Sequence, residues 1–351
     1  MDRRKTIDYV FPYVDCDDPS WIAEYNKYVP KEKEKRSNWS TGMQRFRAND
    51  LLKYVFRSIE KNMPFIRTVH LLVMSESQVP DWVDRKRVHV VLHKDFIPEE
   101  FLPTFNSNTI ESFLGNIPGL SERFIYGNDD LFITSRCYEY DFFEMSTPKY
   151  KIRRRKVMPH APGDQLRLDD QKLITGKDSK YVHEVQHICM PYCLSTIKEV
   201  FNRHHDKIMA SIGKFREAGQ YNQWIFSLYQ HLRKKHKNLG IRYFSTEIKP
   251  STRAIYNCDW TEYKAICLND SSETTQTDLE IVRKKLDKMF PKACKYEKKP
   301  VDEQKKVERS VEPVKTDGKQ NRIENTVMIR RKKNSIVGKP SGKAWNEFFG
   351  I

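Results

Sequence analysis

Residues 124–133 read FIYGNDDLFI, an apolar run interrupted by Asn128, Asp129 and Asp130. Two adjacent carboxylates at the end of a strand suit a hard divalent cation such as magnesium, which takes oxygen ligands and is often shared with substrate phosphates. Gly-Asn-Asp-Asp is also good turn chemistry, so the motif alone supports either reading. A second polar cluster, FNSNTIES at 105–112, sets Asn106, Ser107 and Glu111 ahead of an apolar segment. Asn and Ser are ordinary helix caps, whereas a helix N-terminus with free N–H groups can meet a phosphate or a sugar hydroxyl. Asp8, Asp15, Asp17 and Asp18 surround VFPYVDCDDPSW, again a strand followed by acids. One of them could serve a metal, a base or a ribose, although solvated turn acids are commoner. His183 and His187 stand four apart in HEVQHICMP, which on a helix would aim both rings one way. The order is not HExxH and Pro191 limits any helix, so zinc is discounted. A single histidine as proton acceptor or as donor to a phosphate oxygen is the functional reading, and a structural histidine is the plain one.

These residues need elements to position them. Thr6 to Val14, Thr68 to Met74, Val88 to Leu92 and Arg123 to Tyr126 read as strands, compact and β-branched. Leu52, Val55, Phe56 and Ile59 give a helix one apolar face, with Asn49 as its cap and Pro64 as its end. Ser107 to Leu114, Cys193 to Phe201, Gln223 to Lys235 and Leu279 to Phe290 read as helices, and Gly240 to Ser245 as a strand. CDDPSW reads as a turn, KEKEKRSNWSTG as a loop, and KIRRRK at 151–156 as a basic connector. Strands alternating with helices imply an α/β fold with a mostly parallel sheet, whose ligands bind outside the carboxyl ends of the strands. Asn128 to Asp130 occupy that position.

A chain of 351 residues with 19 Phe, 17 Tyr and 6 Trp can fill a large core. Seven cysteines without a CxxC pair argue for reduced thiols. No stretch has the roughly 18 consecutive apolar residues of a membrane span, and the first strand follows MDRRK directly, so the expected location is the cytoplasm. The net charge of +16 points to anionic partners. From Lys298 onward there are 14 Lys and Arg against 7 Asp and Glu, with no aromatic residue before Trp345. Such a composition suggests a mobile tail. No nucleic-acid motif accompanies the charge.

Taken together and in this order, the stretches resemble the Stealth family of sugar-phosphate transferases. The resemblance runs through IDYVFPYVDCDDPSW at 7–21, RFRANDLLKYVFRSIEKNMPFIRTVHLLV at 45–73 and LPTFNSNTIESFLGNIPGLSERFIYGNDDLFI at 102–133. It continues through HICMPYCLSTIKEVF at 187–201, KFREAGQYNQWIFSLY after it, and YKAICLND at 263–270. Tyr13 replaces a usual Trp, Leu51 a usual acid, and Gln220, Tyr221 or Asn222 the acid expected a few residues after Arg216.

The resemblance implies a catalytic domain over 1–297, with family regions at 7–21, 45–133, 183–235 and 263–296, and a basic tail over 298–351. Its fold would be Rossmann-like and similar to glycosyltransferase A, a mostly parallel sheet flanked by helices with a helical second half. Its reaction would move hexose 1-phosphate from a nucleotide sugar, a UDP-sugar foremost, to a glycan or lipid-linked glycan hydroxyl, releasing nucleoside monophosphate in capsular or cell-surface polysaccharide synthesis. An ordinary metal-dependent glycosyltransferase releasing nucleoside diphosphate is the alternative, and a basic nucleic-acid-binding protein the second. The family pattern makes Asp129, Asp130, His187 and Arg216 catalytic, and Asp15, Asp18, Arg47, Asn49, Asn106, Ser107, Glu111, Asn128 and Asn269 substrate-binding. Asp129, Asp130 and Asp270 would hold Mg²⁺, with Mn²⁺ as substitute, and an aspartate of the pair or His187 would take the acceptor proton. The basic tail would touch the inner membrane face.

Overall fold

The run IDYVFP forms strand β1, Ile7–Pro12, buried at every position through Phe11, as befits a strand covered on both faces. In this computed structural model residues 6–30, 40–158, 162–185, 189–238 and 245–299 are described. His187, the segment 240–244 and the tail from 300 therefore lie outside the described residues. After β1 the chain enters helix α1, Pro19–Tyr28, capped by Asp18. The sequence reading made CDDPSW only a turn, but proline at the first helical position starts a helix as readily.

Helix α2, Leu52–Asn62, buries Leu52, Val55, Phe56 and Ile59 along the expected face. Its N-cap is Leu51, which corrects the expectation for Asn49. Asn49 and Asp50 instead have φ of 51° and 56°, a left-handed bend that short polar side chains tolerate. Strands β2, Ile66–Val73, and β3, Val88–Leu92, follow. Then come helix α3, Ser107–Ser112, strand β4, Arg123–Tyr126, and strand β5, Leu131–Ile133.

The central sheet has β3 at one edge, then β2, β1 and β4, and ends in the strand Met190–Cys193. β1, β2, β3 and β4 run parallel, and Met190–Cys193 is antiparallel to β4. The chain winds outward from β1 to β3 and then returns to the other side of β1. That reversal makes the β1–β4 boundary the topological switch point, where ligands bind in such sheets.

The second half contributes helices and also short strands. Pro191 lies in the strand Met190–Cys193, so the helix expected from Cys193 begins only after it, as Leu194–Arg203. KIRRRK is not a connector: Ile152–Lys156 is a strand paired antiparallel with Tyr181–Val185. Arg155 binds Asp164 through both terminal nitrogens, at 2.8 and 2.5 Å. His183 stands in Tyr181–Val185, so the helical spacing considered for it does not exist. The helix Pro162–Thr175, which the sequence reading omitted, packs against that ribbon.

At the amino end of β1, fully buried Asp8 accepts two hydrogen bonds from Arg67, at 2.8 and 2.6 Å, and one from the Ser121 N–H at 2.8 Å. His70 Nε2 is 3.0 Å away. Burial pushes the carboxyl up, but His70 and Arg67 outweigh it and hold the group at about 2. Its contribution is therefore present above the ordinary value and lost as pH falls through the folded one. Between pH 5 and 2 the wild type should lose roughly 2 kcal/mol that an Asp8→Asn variant does not lose, as measured by denaturant unfolding.

Gly127 follows β4, and a Cβ there would lie 2.1 Å from Tyr9 Oη and 2.7 Å from Cζ. Both contacts involve a fully buried ring. Gly127→Ala should cost about 1–3 kcal/mol or more and lower the thermal midpoint by several degrees; an unchanged midpoint would contradict this packing.

Candidate functional site

A cleft of about 590 Å³ opens at the carboxyl ends of the parallel strands. Its floor at the switch point is the bend between β4 and β5, with Asn128, Asp129 and Asp130 all lining it. The turn and the site are thus one object. The pair lies in a turn and not on an extended segment. Leu131 N–H donates to Asn128 O at 3.2 Å, and Leu268 N–H to Asp130 O at 2.9 Å. The strand Ala265–Leu268, antiparallel to β5, supplies that second bond. It also brings the Cys267 thiol to Asp130 Oδ2 at 3.3 Å.

Removal from water, with the charge of Asp130 added, pushes Asp129 up to about 8, against the N–H groups of Val14 and Asp129 itself. Asp130 Oδ1 is buried and has no hydrogen-bond partner among the described residues. Two crowded carboxylates with one bare buried oxygen fit a divalent cation that also takes phosphate and water ligands. Among the described residues no three His, Cys, Asp or Glu form a ready metal-binding group. Asp270 does not line the cleft: it pairs with Arg47 at 2.9 Å and accepts from Asn49 Nδ2 at 3.1 Å. Arg47 also donates to Ser271 O at 2.9 Å. Arg47, Asn49 and Asp270 therefore form a bracket that ties the segment before α2 to the loop after Ala265–Leu268, and Asn269 is exposed beside it.

Facing the carboxylates are two guanidiniums. Arg216 donates to Ser107 Oγ; burial presses it below the ordinary range, while Glu111, Tyr126 and Asp130 act the other way. Arg45, which the sequence reading passed over, lines the same cleft. Burial and the Arg216 charge lower it, and Asp130 and Glu111 raise it, so these four charges share one neighbourhood. No described residue gives the Arg45 guanidinium a hydrogen bond or ion pair. The only sequence clue was a second arginine in RFRAND, two residues from the one that the family pattern singled out.

The FNSNTIES cluster works mainly as scaffold. Asn106, fully buried, caps α3 through Asn108 N–H at 3.0 Å. Its amide donates to Gly213 O, Phe215 O and Gln220 Oε1, at 3.0, 3.1 and 2.8 Å. It thereby fixes the segment that carries Arg216. With only six residues and its end already capped, α3 does not offer the phosphate site considered for its N-terminus. Glu111 accepts from Gln223 N–H at 3.0 Å and from Tyr126 Oη at 3.3 Å, which holds the start of helix Trp224–Leu232 over the cleft. Asp18 is occupied as the α1 cap by Ser20, Ser77 and Gln78, and Asp15 binds the Asp17 N–H at 2.9 Å. Neither lines the cleft. Of the expected residues the structure thus gathers Ser107, Glu111, Asn128, Asp129, Asp130 and Arg216 around one space, while His187 lies outside the described residues.

The remaining walls were not foreseen. Trp21, Phe46 and Phe105 contribute aromatic faces, with ring centroids 5.0 and 5.4 Å from Trp21, and Gln165 and Leu166 of Pro162–Thr175 close the far side. Fold and cleft together define an α/β protein that keeps a charged site at the switch point of a mostly parallel sheet. Residues 45–151 match the family profile described as Stealth protein CR2, conserved region 2. A capsular polysaccharide phosphotransferase WcwK of Streptococcus pneumoniae is 27% identical over 83% of this chain and 99% of its own. The capsular polysaccharide phosphotransferase cps1A of Actinobacillus pleuropneumoniae is 41% identical over 63% of each. The solved galactosyltransferase LgtC, in complex with donor and acceptor sugar analogs, aligns at 13% identity and a TM-score of 0.39, covering 82% of this chain and 98% of its own. Over residues 45–151 the chain is therefore similar to the Stealth family, and its relatives include proteins named capsular polysaccharide phosphotransferases.

Because Asp129 is raised above its ordinary 3.8, the protein in chelator should lose stability as pH rises from about 4 through about 8. Asp129→Asn should flatten that slope. Thermal unfolding across this range checks it, and parallel profiles for the two proteins would contradict the crowding of the pair.

Proposed function

We propose that the protein transfers hexose 1-phosphate from a nucleotide sugar, with a UDP-sugar as the expected donor, to a glycan hydroxyl in capsular or other cell-surface polysaccharide synthesis. Relatives named as capsular and exopolysaccharide phosphotransferases support this reading. The observation that carries it is a single cleft with two adjacent carboxylates at the switch point and two guanidiniums beside them. Phosphoryl transfer asks the protein chiefly for alignment and charge neutralisation.

The acceptor oxygen attacks the phosphorus attached to the sugar, the bond from that phosphorus to the bridging oxygen breaks, and nucleoside monophosphate departs. A phosphodiester remains. A carboxylate of the Asp129–Asp130 pair takes the acceptor proton. Arg216, oriented by Ser107, and Arg45 offset the charge of the transferred and departing phosphates. Magnesium or manganese held by Asp129 and Asp130 would add charge neutralisation at the donor phosphates. Arg47 and Asp270 shape the site through their mutual pair, so the phosphate role expected of Arg47 passes to Arg45. His187 is retained as a candidate donor to a phosphoryl oxygen.

No helix of the described residues is long and apolar enough to cross a membrane. The basic segment from Lys298 is proposed to attach the enzyme to the anionic cytoplasmic membrane face.

Purified protein supplied with Mg²⁺, a glycan acceptor and a panel of nucleotide sugars should release nucleoside monophosphate. Asp130→Asn and Arg45→Ala should each reduce kcat by about 10²–10³-fold. Full activity in Arg45→Ala, or release of nucleoside diphosphate, would overturn the assignment.

A further inference from the structure

The residue after β3, His93, lines the cleft although it is only 5% exposed. Both ring nitrogens are buried, and neither has a hydrogen-bond partner among the described residues. Burial presses the imidazole down to about 3, so the ring is neutral at physiological pH and carries one N–H and one lone pair. Buried polar groups are normally paired, and leaving both nitrogens bare is unfavourable. The catalytic reading above makes no use of this histidine.

Its place in the sheet says what would pair with it. β3 is the edge strand, Met74 follows the end of β2, and both residues line the same cleft as Trp21, Phe46 and Phe105. The carboxylates stand at the end of β4, three strand intervals away, or roughly 14 Å at the usual sheet spacing. His93 and Met74 follow the paired residues Leu92 and Val73 at one end of the cleft, where the imidazole is neutral, and the carboxylates stand at the other end. A nucleoside 5′-phosphate has the same polarity: a planar, uncharged base with hydrogen-bonding edges at one end and phosphate at the other. A neutral imidazole can accept a ring N–H or donate to a ring carbonyl, whereas a fully apolar pocket could do neither.

We propose that His93 marks a nucleobase subsite, in which a ring nitrogen of His93 hydrogen-bonds to the edge of the donor's base. This rests on the nucleotide-sugar reading given above. It assigns the β3 end of the cleft to the base and the β4 end to the transferred sugar phosphate.

Full-length protein with ¹⁵N-labelled histidine should be titrated with UMP, CMP and GMP, and with ribose 5-phosphate as a probe that lacks the base. The His93 ring nitrogens, assigned by their loss in His93→Gln, should shift with the preferred nucleotide and stay in place with ribose 5-phosphate. His93→Leu should weaken that nucleotide by about 10-fold, the worth of one buried hydrogen bond, and leave ribose 5-phosphate unaffected. If His93→Leu does not fold, the wild-type spectra and His93→Gln decide. Nucleotide binding without a His93 shift, or equal weakening of nucleotide and ribose 5-phosphate, overturns the subsite and leaves the proposed transfer standing. Failure of the wild type to bind any of the three nucleotides overturns both.

Discussion

Two carboxylates adjacent in sequence repel each other, and the site depends on a turn stiff enough to hold them together. Three backbone hydrogen bonds do this. Gly127 N–H reaches Val10 O at 2.9 Å, Leu131 N–H reaches Asn128 O, and Leu268 N–H reaches Asp130 O. The first ties the bend to β1 and the third to the strand Ala265–Leu268, so two different sheets grip the same residues. Gly127 is required because the Tyr9 ring fills the space a side chain would use. What stability the crowding costs is regained if a cation and phosphates arrive, and the same crowding makes the bend receptive to them.

The cations are divided by partner more than by position in sequence. Arg47 is consumed by Asp270 and the Ser271 carbonyl, while Arg45, two residues earlier, lines the cleft with no guanidinium partner among the described residues. Arg216 is intermediate, steadied by one hydroxyl. A charge already neutralised by a protein carboxylate has little left for a substrate phosphate, so Arg45 and Arg216 are the groups able to act. Asn106 and Glu111 serve at one remove, fixing the chain on either side of Arg216 through buried hydrogen bonds.

Much of the sheet was legible because buried strands declare themselves by composition: β3 and β4 fall where their apolar runs place them, and α2 shows its face through Leu52, Val55, Phe56 and Ile59. The acidic bend was legible at a strand end for the same reason, and there it lines the cleft. Other features depended on partners far away in sequence. KIRRRK looks like a solvated linker until Glu184 and Asp164 are brought to it. Pro162–Thr175 carries charge on most turns and has no strong apolar stripe to read. Asn49 has the chemistry of a cap, but its left-handed backbone removes it from that role. His93 gave no signal at all, because a histidine after a strand acquires meaning only when its burial and its lack of partners are known.

The central claim is that phosphorus, and not the anomeric carbon, is the atom attacked in this cleft. A nucleotide sugar carrying a radioactive phosphorus label on the phosphate joined to the sugar tests it most directly, by following the label after one turnover. Label in the glycan, with unlabelled nucleoside monophosphate released, is the expected result. Label retained in the nucleotide, with none in the glycan, would contradict it.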